Sequence, residues 1–147
     1  MHSVFITFAP DTPENRKTVE QVRLAFDPAA CVVSAKPTAG SLMPDLAGAD
    51  CLVFGLQKTQ GADAPAEYTE LLRSLKGVNL AGRVAGIFSF GGEKASARLR
   101  KVLRDTSATV SEEEPVFADQ KPTLQAEIEV WARKLSTSLQ DLRRART

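Results

Sequence analysis

A chain of 147 residues with 43% hydrophobic and 25% charged side chains is long enough to bury a core of its own. Its formal net charge of +1 gives no overall drive toward nucleic acid or an anionic membrane, and neither is expected as a partner. No run approaches the ~20 apolar residues that span a bilayer, and the first ten residues lack a basic n-region, so a cytoplasmic protein of one domain, residues 1–147, is expected.

Residues 4–8, Val-Phe-Ile-Thr-Phe, form the first apolar strand. The chain then passes through Ala9-Pro10-Asp11-Thr12-Pro13-Glu14-Asn15 into a helix over about 14–26, with Val19, Val22 and Phe26 on one face. A second strand, 31–33, is followed by a Gly/Pro-containing connection with a short helical piece near Asp45-Leu46-Ala47. Strand three, 51–54, is continuously apolar, as suits a sheet covered on both faces. The polar loop 55–65 ends in Pro65, which fits the first turn of a helix bearing Tyr68, Leu71, Leu72 and Leu75 at i, i+3, i+4 and i+7. Strand four, 84–88, ends in Ser89-Phe90-Gly91-Gly92, and a helix with Ala95, Leu99, Val102 and Leu103 on one face follows. A weaker fifth strand, 109–117, is interrupted by Ser111-Glu112-Glu113-Glu114-Pro115. The closing helix, about 122–144, buries Leu124, Ile128, Trp131, Leu135, Leu139 and Leu142.

Strands alternating with helices predict a doubly wound sheet of five parallel strands. Ligands of such sheets bind outside the carboxyl ends of the strands, where strand order reverses. Three loops converge there: 9–15, 55–65 and 89–93. With strand one between strands two and three, Cys31 and Cys51 lie roughly 10 Å apart, too far for a disulfide, and two cysteines without metal spacing read as buried thiols. His2 stands alone near the start, so no Ser-His or Cys-His pair is indicated. Asp11 and Glu14 are either solvated charges favouring a helix N-terminus or ligands of a hard cation. Glu112-Glu113-Glu114 reads as a solvated edge or loop, and the basic tail, Arg143, Arg144 and Arg146, as a solvated helix end. A two-component receiver domain would need an aspartate ending strand three, where Phe54-Gly55 stands.

Two stretches resemble the flavodoxin family, and with them almost the whole chain does. Asp45-Leu46-Ala47-Gly48-Ala49-Asp50-Cys51-Leu52-Val53-Phe54-Gly55 looks like the family's approach to strand three. The run from Tyr68 through Leu71-Leu72-Arg73-Ser74-Leu75-Lys76-Gly77 to Ala81-Gly82-Arg83-Val84-Ala85-Gly86-Ile87-Phe88-Ser89-Phe90-Gly91 is similar to the flavodoxin domain of the diiron flavoproteins. Trp131 also sits where flavodoxins often carry a tryptophan. The resemblance implies strand order 2-1-3-4-5 and electron transfer through bound FMN.

The three loops depart from the family's pattern. The phosphate loop, Ser/Thr-x-Thr-Gly-x-Thr in type, is replaced by Pro10-Asp11-Thr12-Pro13-Glu14-Asn15. Two prolines remove amide donors, and two carboxylates repel a phosphate dianion more than one helix N-terminus attracts it. The second loop has Gly55-Leu56-Gln57-Lys58 for Gly-Ser-Pro-Thr, and Thr59-Gln60-Gly61 where a flavin-stacking aromatic can stand. The third, Ser89-Phe90-Gly91-Gly92, lacks the tryptophan of Ser-Tyr-Gly-Trp-x-Gly. Tyr68 and Trp131 fall on helical core stripes, while Phe90 is either a cleft-rim aromatic or a strand-end core residue.

The expectation is therefore a flavodoxin-like α/β chain without a cofactor, a non-catalytic interaction or regulatory module. Its partner would be another protein, meeting the former cofactor rim at Asp11, Glu14, Lys58, Gln60 and Phe90. The alternative is a flavodoxin-type electron carrier that holds FMN in an atypical site, through Thr12, Asn15, Phe90, Gly91 and Gly92. No catalytic or metal-binding residues are expected.

Overall fold

Strand pairing follows from where each apolar run can be covered. The computed structural model describes residues 1–41, 43–57, 65–91, 96–118 and 121–145. Its sheet contains β1 (His2–Ala9), β2 (Cys31–Pro37), β3 (Cys51–Leu56), β4 (Val84–Ser89) and β5 (Thr109–Val110), in the order β2-β1-β3-β4-β5 and parallel throughout. This is the flavodoxin-like order expected from the sequence. All six residues of β3 and all six of β4 are buried, because central strands of a parallel sheet are covered on both faces. The edge strand β2 alternates instead and runs four residues past the expected 31–33, since Ser34 and Lys36 face out while Cys31, Val33 and Ala35 face in.

Among the described residues, α-helices close the two faces: α1 (Pro13–Ala25), α2 (Met43–Ala47), α3 (Tyr68–Leu75), α4 (Ala97–Asp105) and α5 (Leu124–Ala145). On one face Val4, Ile6, Phe8, Val53 and Phe88 meet Val19 and Val22 of α1 and Ile128, Trp131 and Leu135 of α5. On the other, Phe5, Leu52, Phe54 and Ile87 meet Leu46, Leu71, Leu72, Leu75, Leu99 and Leu103. The period-2 alternation of β1 thus feeds both cores. Gly86 lets α5 approach the sheet: a Cβ there would stand 2.8 Å from a Leu135 methyl and 2.9 Å from Cζ2 of Trp131.

The fifth strand is split, as its charged interruption suggests. Thr109 and Val110 pair with Val84 and Ala85. The chain then leaves the sheet over residues 111–115 and returns at Val116, beside Ser89. Ser89 donates its amide to the Pro115 carbonyl at 3.0 Å and accepts from the Phe117 amide at 2.8 Å. Two of the three glutamates of the excursion are paired: Glu113 with Lys134 at 2.6 Å, and Glu114 with Arg100 at 3.1 Å. Arg100 also donates to the Ser111 carbonyl at 3.0 Å, so α4 clamps the excursion. Cys31 and Cys51 are buried free thiols.

Candidate functional site

The carboxyl ends of β1, β3 and β4 are laced together by backbone bonds. The Gln57 amide donates to the Ala9 carbonyl at 3.2 Å, and the Phe90 amide to the Leu56 carbonyl at 3.1 Å. After the cis Ala9–Pro10 bond the chain turns at Thr12, whose extended backbone makes it the N-cap of α1. Its Oγ1 accepts the Asn15 amide at 3.1 Å, the usual service of a threonine at this position. Pro13 occupies the first helical turn, where its missing N–H is least costly.

Asn15, 6% exposed, binds the loops to one another. Its Nδ2 donates to the Pro10 carbonyl at 2.9 Å and to Gln57 Oε1 at 3.2 Å. Both amide hydrogens are thereby engaged, so Asn15 fixes the turn after β1 against the end of β3. The amides of Asp11, Thr12 and Glu14 find no acceptor inside the protein among the described residues. The Thr12 hydroxyl, accepting from Asn15, keeps its own hydrogen to donate. Three amides and a hydroxyl at a helix N-terminus form a donor set suited to an anion.

Charge at this turn differs from what the sequence suggests. Arg16 donates from Nε and Nη2 to both oxygens of Asp11, the second bond at 2.7 Å. This fork holds the Asp11 carboxyl below its ordinary range. Asp11 is ionised but compensated by a cation on the same turn, and Glu14 is the exposed carboxylate left on it. The Asp11–Arg16 contact spans five residues across a helix cap, outside the i,i+3 and i,i+4 spacings by which sequence reading finds ion pairs.

Beside the turn lies a buried hydroxyl network that the sequence did not announce. Thr7 Oγ1 stands 2.9 Å from Thr38 Oγ1 and 3.0 Å from Ser41 Oγ, and Ser41 donates to the Pro37 carbonyl at 3.0 Å. Tyr68 OH donates to the Gly55 carbonyl at 2.9 Å, and burial raises its pKa. These bonds stiffen the ends of β1 and β3 under the site. The aromatic ring of Tyr68 belongs to the core, as its helical stripe implies.

Phe90 takes the strand-end core position of its two alternatives. It is 7% exposed, and its ring lies edge-on to Phe88 at 5.0 Å and to Phe8 at 6.4 Å between centroids. Gly55 makes room for this cluster: a Cβ would come within 2.6 Å of Phe88 and 2.9 Å of Phe90. Gly91 follows with φ +82°, a conformation that favours glycine. Thr12, Asn15, Phe90 and Gly91 therefore all lie at the carboxyl end of the sheet. Lys58, Gln60 and Gly92 lie outside the described residues. Among the described residues no group of three or more His, Cys, Asp or Glu side chains is placed to hold a metal ion, and no helix is long and apolar enough to cross a membrane.

No protein-family model matches the chain, and no curated protein matches it in sequence. Solved structures do match. A short-chain flavodoxin associated with a non-canonical PDU bacterial microcompartment superposes with a TM-score of 0.82 at 16% identity, over 95% of this chain and 99% of that one. The Streptococcus pneumonia TIGR4 flavodoxin gives 0.78 at 19% identity, covering 92% and 99%. The Fusobacterium nucleatum flavodoxin bound to flavin mononucleotide gives 0.78 at 14% identity, covering 94% and 99%. At such identities the likeness is one of fold, and the fold is flavodoxin-like.

The expectation of a chain without a cofactor is corrected by these matches, one of which is to a flavodoxin holding its nucleotide. The inference failed at its electrostatic step. It counted Asp11 as a bare negative charge, whereas Arg16 compensates it, and it discounted the amides of residues 11, 12 and 14, which are still there to donate.

Proposed function

We propose that this chain is a flavodoxin-type electron carrier that binds FMN at the carboxyl end of its sheet, in a phosphate turn of unusual composition. The observation that carries this reading is the turn itself: three amides without acceptors among the described residues, the Thr12 hydroxyl, and an acidic residue already neutralised by Arg16. When bound, FMN supplies reversible electron uptake and release. The chain's residues bind and orient. Thr12 and the amides of Asp11, Thr12 and Glu14 hold the phosphate, and Arg16 keeps the Asp11 carboxylate from opposing it. Asn15 positions the turn through Pro10 and Gln57. Phe90 and Gly91 shape the end of β4 at the same rim. An electron carrier delivers to another protein, and the proposed meeting place is this rim, where Asp11, Glu14 and Arg16 are exposed.

Absorbance and melting test the reading together. The purified protein, incubated with FMN and gel-filtered, is expected to keep a flavin spectrum. FMN at about a hundred times its Kd should stabilise the fold by about 2.7 kcal/mol. Riboflavin, which lacks the phosphate, should bind more weakly, and Thr12→Ala should narrow the difference between the two. A protein that stays colourless and melts identically with and without FMN would sink the reading.

A further inference from the structure

Several surface cations on this protein are matched within it. Arg16 pairs with Asp11, Arg23 with Glu20, Lys36 with Asp45, Arg73 with Glu70, Lys121 with Glu127, Lys134 with Glu113 and Arg143 with Asp50. Lys17 and Arg133, on separate helices, lack a carboxylate partner among the described residues, and four further such cations lie together. Lys76, at the end of α3, and Arg98, Lys101 and Arg104 along α4 are exposed, and among the described residues none has a carboxylate partner.

These cations share a surface. At about 100° per residue Arg98, Lys101 and Arg104 fall within an arc of about 120°, opposite Leu99 and Leu103, which are fully buried. Like charges along one helix face repel one another, and the favourable dipole contact at a helix end reaches only the last turn, where Arg104 stands. Between the end of α3 and α4 lies a cleft of about 390 Å³. Leu75 and Val102 line it, with Lys76, Arg98, Lys101 and Asp105 around them.

We propose that this face of α3 and α4 docks an acidic protein surface, which sets carboxylates against Lys76, Arg98, Lys101 and Arg104 and an apolar side chain into the cleft against the partly exposed Val102. An apolar contact ringed by charge has the anatomy of a protein interface. Charge complementarity names the partner's sign and gives fast, salt-sensitive encounter. Nucleic acid fits less well: Asp105 sits among the cations and repels phosphate, and none of the cleft residues is an aromatic for base stacking. The proposal does not require FMN, and a colourless protein would leave it standing.

The test is fluorescence anisotropy with a fluorescein-labelled peptide of Glu and Asp around a central Leu-Phe pair, using the full chain at low and physiological salt. Binding is expected to weaken with salt and to fall by about tenfold or more in the double variant Arg98→Gln with Lys101→Gln. The paired control, Lys17→Gln with Arg133→Gln on other helices, should bind as the parent does. Replacing the peptide's Leu-Phe pair with Ser-Ser should weaken binding, reporting on the cleft. Thermal melts establish that both double variants fold. If the α4 variant does not fold, Lys76→Gln, outside the helix, carries the comparison instead. Absence of binding, equal loss in the control variant, or tighter binding of a duplex oligonucleotide or of phosphatidylserine vesicles through the same residues would overturn the proposal.

Discussion

Arg16 holds Asp11 as a fork holds a carboxylate, Nε on one oxygen and Nη2 on the other at 2.7 Å, so that the acidic turn after β1 carries its own counter-charge. The pair stands in water and adds little to fold stability; under the proposed FMN reading its effect is on the field that the phosphate meets. Arg16→Gln should therefore lower FMN affinity several-fold while leaving the melting temperature of the unliganded protein nearly unchanged. Adding Asp11→Asn should restore much of the loss, and higher salt should shrink the difference. Fluorescence titration of the three proteins checks this. An Arg16→Gln variant that binds as the parent does would remove Arg16 from the site's electrostatics.

Gly86 faces α5 closely, with no room for a Cβ. A methyl group there would meet Leu135 and Trp131 at 2.8–2.9 Å, contacts that neither side chain can relieve without moving its helix or its neighbours. Overpacking of this kind typically costs about 1–3 kcal/mol. Gly86→Ala should lower the urea midpoint accordingly, with the fluorescence of Trp131, the only tryptophan, as the probe. Parent-like stability would show that α5 shifts freely on the sheet.

Asp50 joins three elements near the start of the chain. It accepts from the Ser3 amide at 2.9 Å and from the Ser3 hydroxyl at 3.3 Å, and it pairs with Arg143 near the end of α5. Burial pushes its pKa up, but the Ser3 amide and the Arg143 charge outweigh burial and hold it below the ordinary 3.8. A carboxyl lowered on folding adds stability above its unfolded pKa and loses it as pH falls through the folded value. Asp50→Asn should thus cost about 1–2 kcal/mol at neutral pH and flatten the loss of stability below pH 3.8. Denaturant midpoints measured across acid pH distinguish the two curves, and parallel curves would exclude Asp50 from the acid limb.

Cys51 opens β3 and is 1% exposed. Burial pushes its thiol up to about 12, so almost no thiolate exists at neutral pH, and Cys31 is also raised, first by burial. In Cys31→Ser, labelling of Cys51 by a disulfide reagent should rise with reagent to a plateau at the global unfolding rate. A plateau faster than global unfolding would reveal a local opening at β3.

Much of the fold was legible because periodicity is a local property. Tyr68, Leu71, Leu72 and Leu75 announced α3, and the unbroken Cys51-Leu52-Val53-Phe54 run announced a strand buried on both faces. Ser111-Glu112-Glu113-Glu114-Pro115 announced the break in the fifth strand. Boundaries were less legible where exposure is partial. β2 extends to Pro37 because an edge strand tolerates Ser34 and Lys36 facing outward.

At the turn after β1 the sequence reading took Asp11 as an uncompensated charge, whereas Arg16 pairs with it. Which residues lie at the carboxyl ends of the strands follows from chain order and the handedness of parallel crossovers, both written in the sequence. Whether Asp11 opposes an anion depends on where Arg16 points, and whether Asn15 is a ligand depends on Pro10 and Gln57 coming within reach. Hydrogen bonds need partners at about 3 Å and in line, and only the assembled backbone sets such distances. Composition and spacing thus determined the sheet and which loops follow the carboxyl ends of its strands. The chemistry offered there was decided by contacts that exist only once the chain has folded.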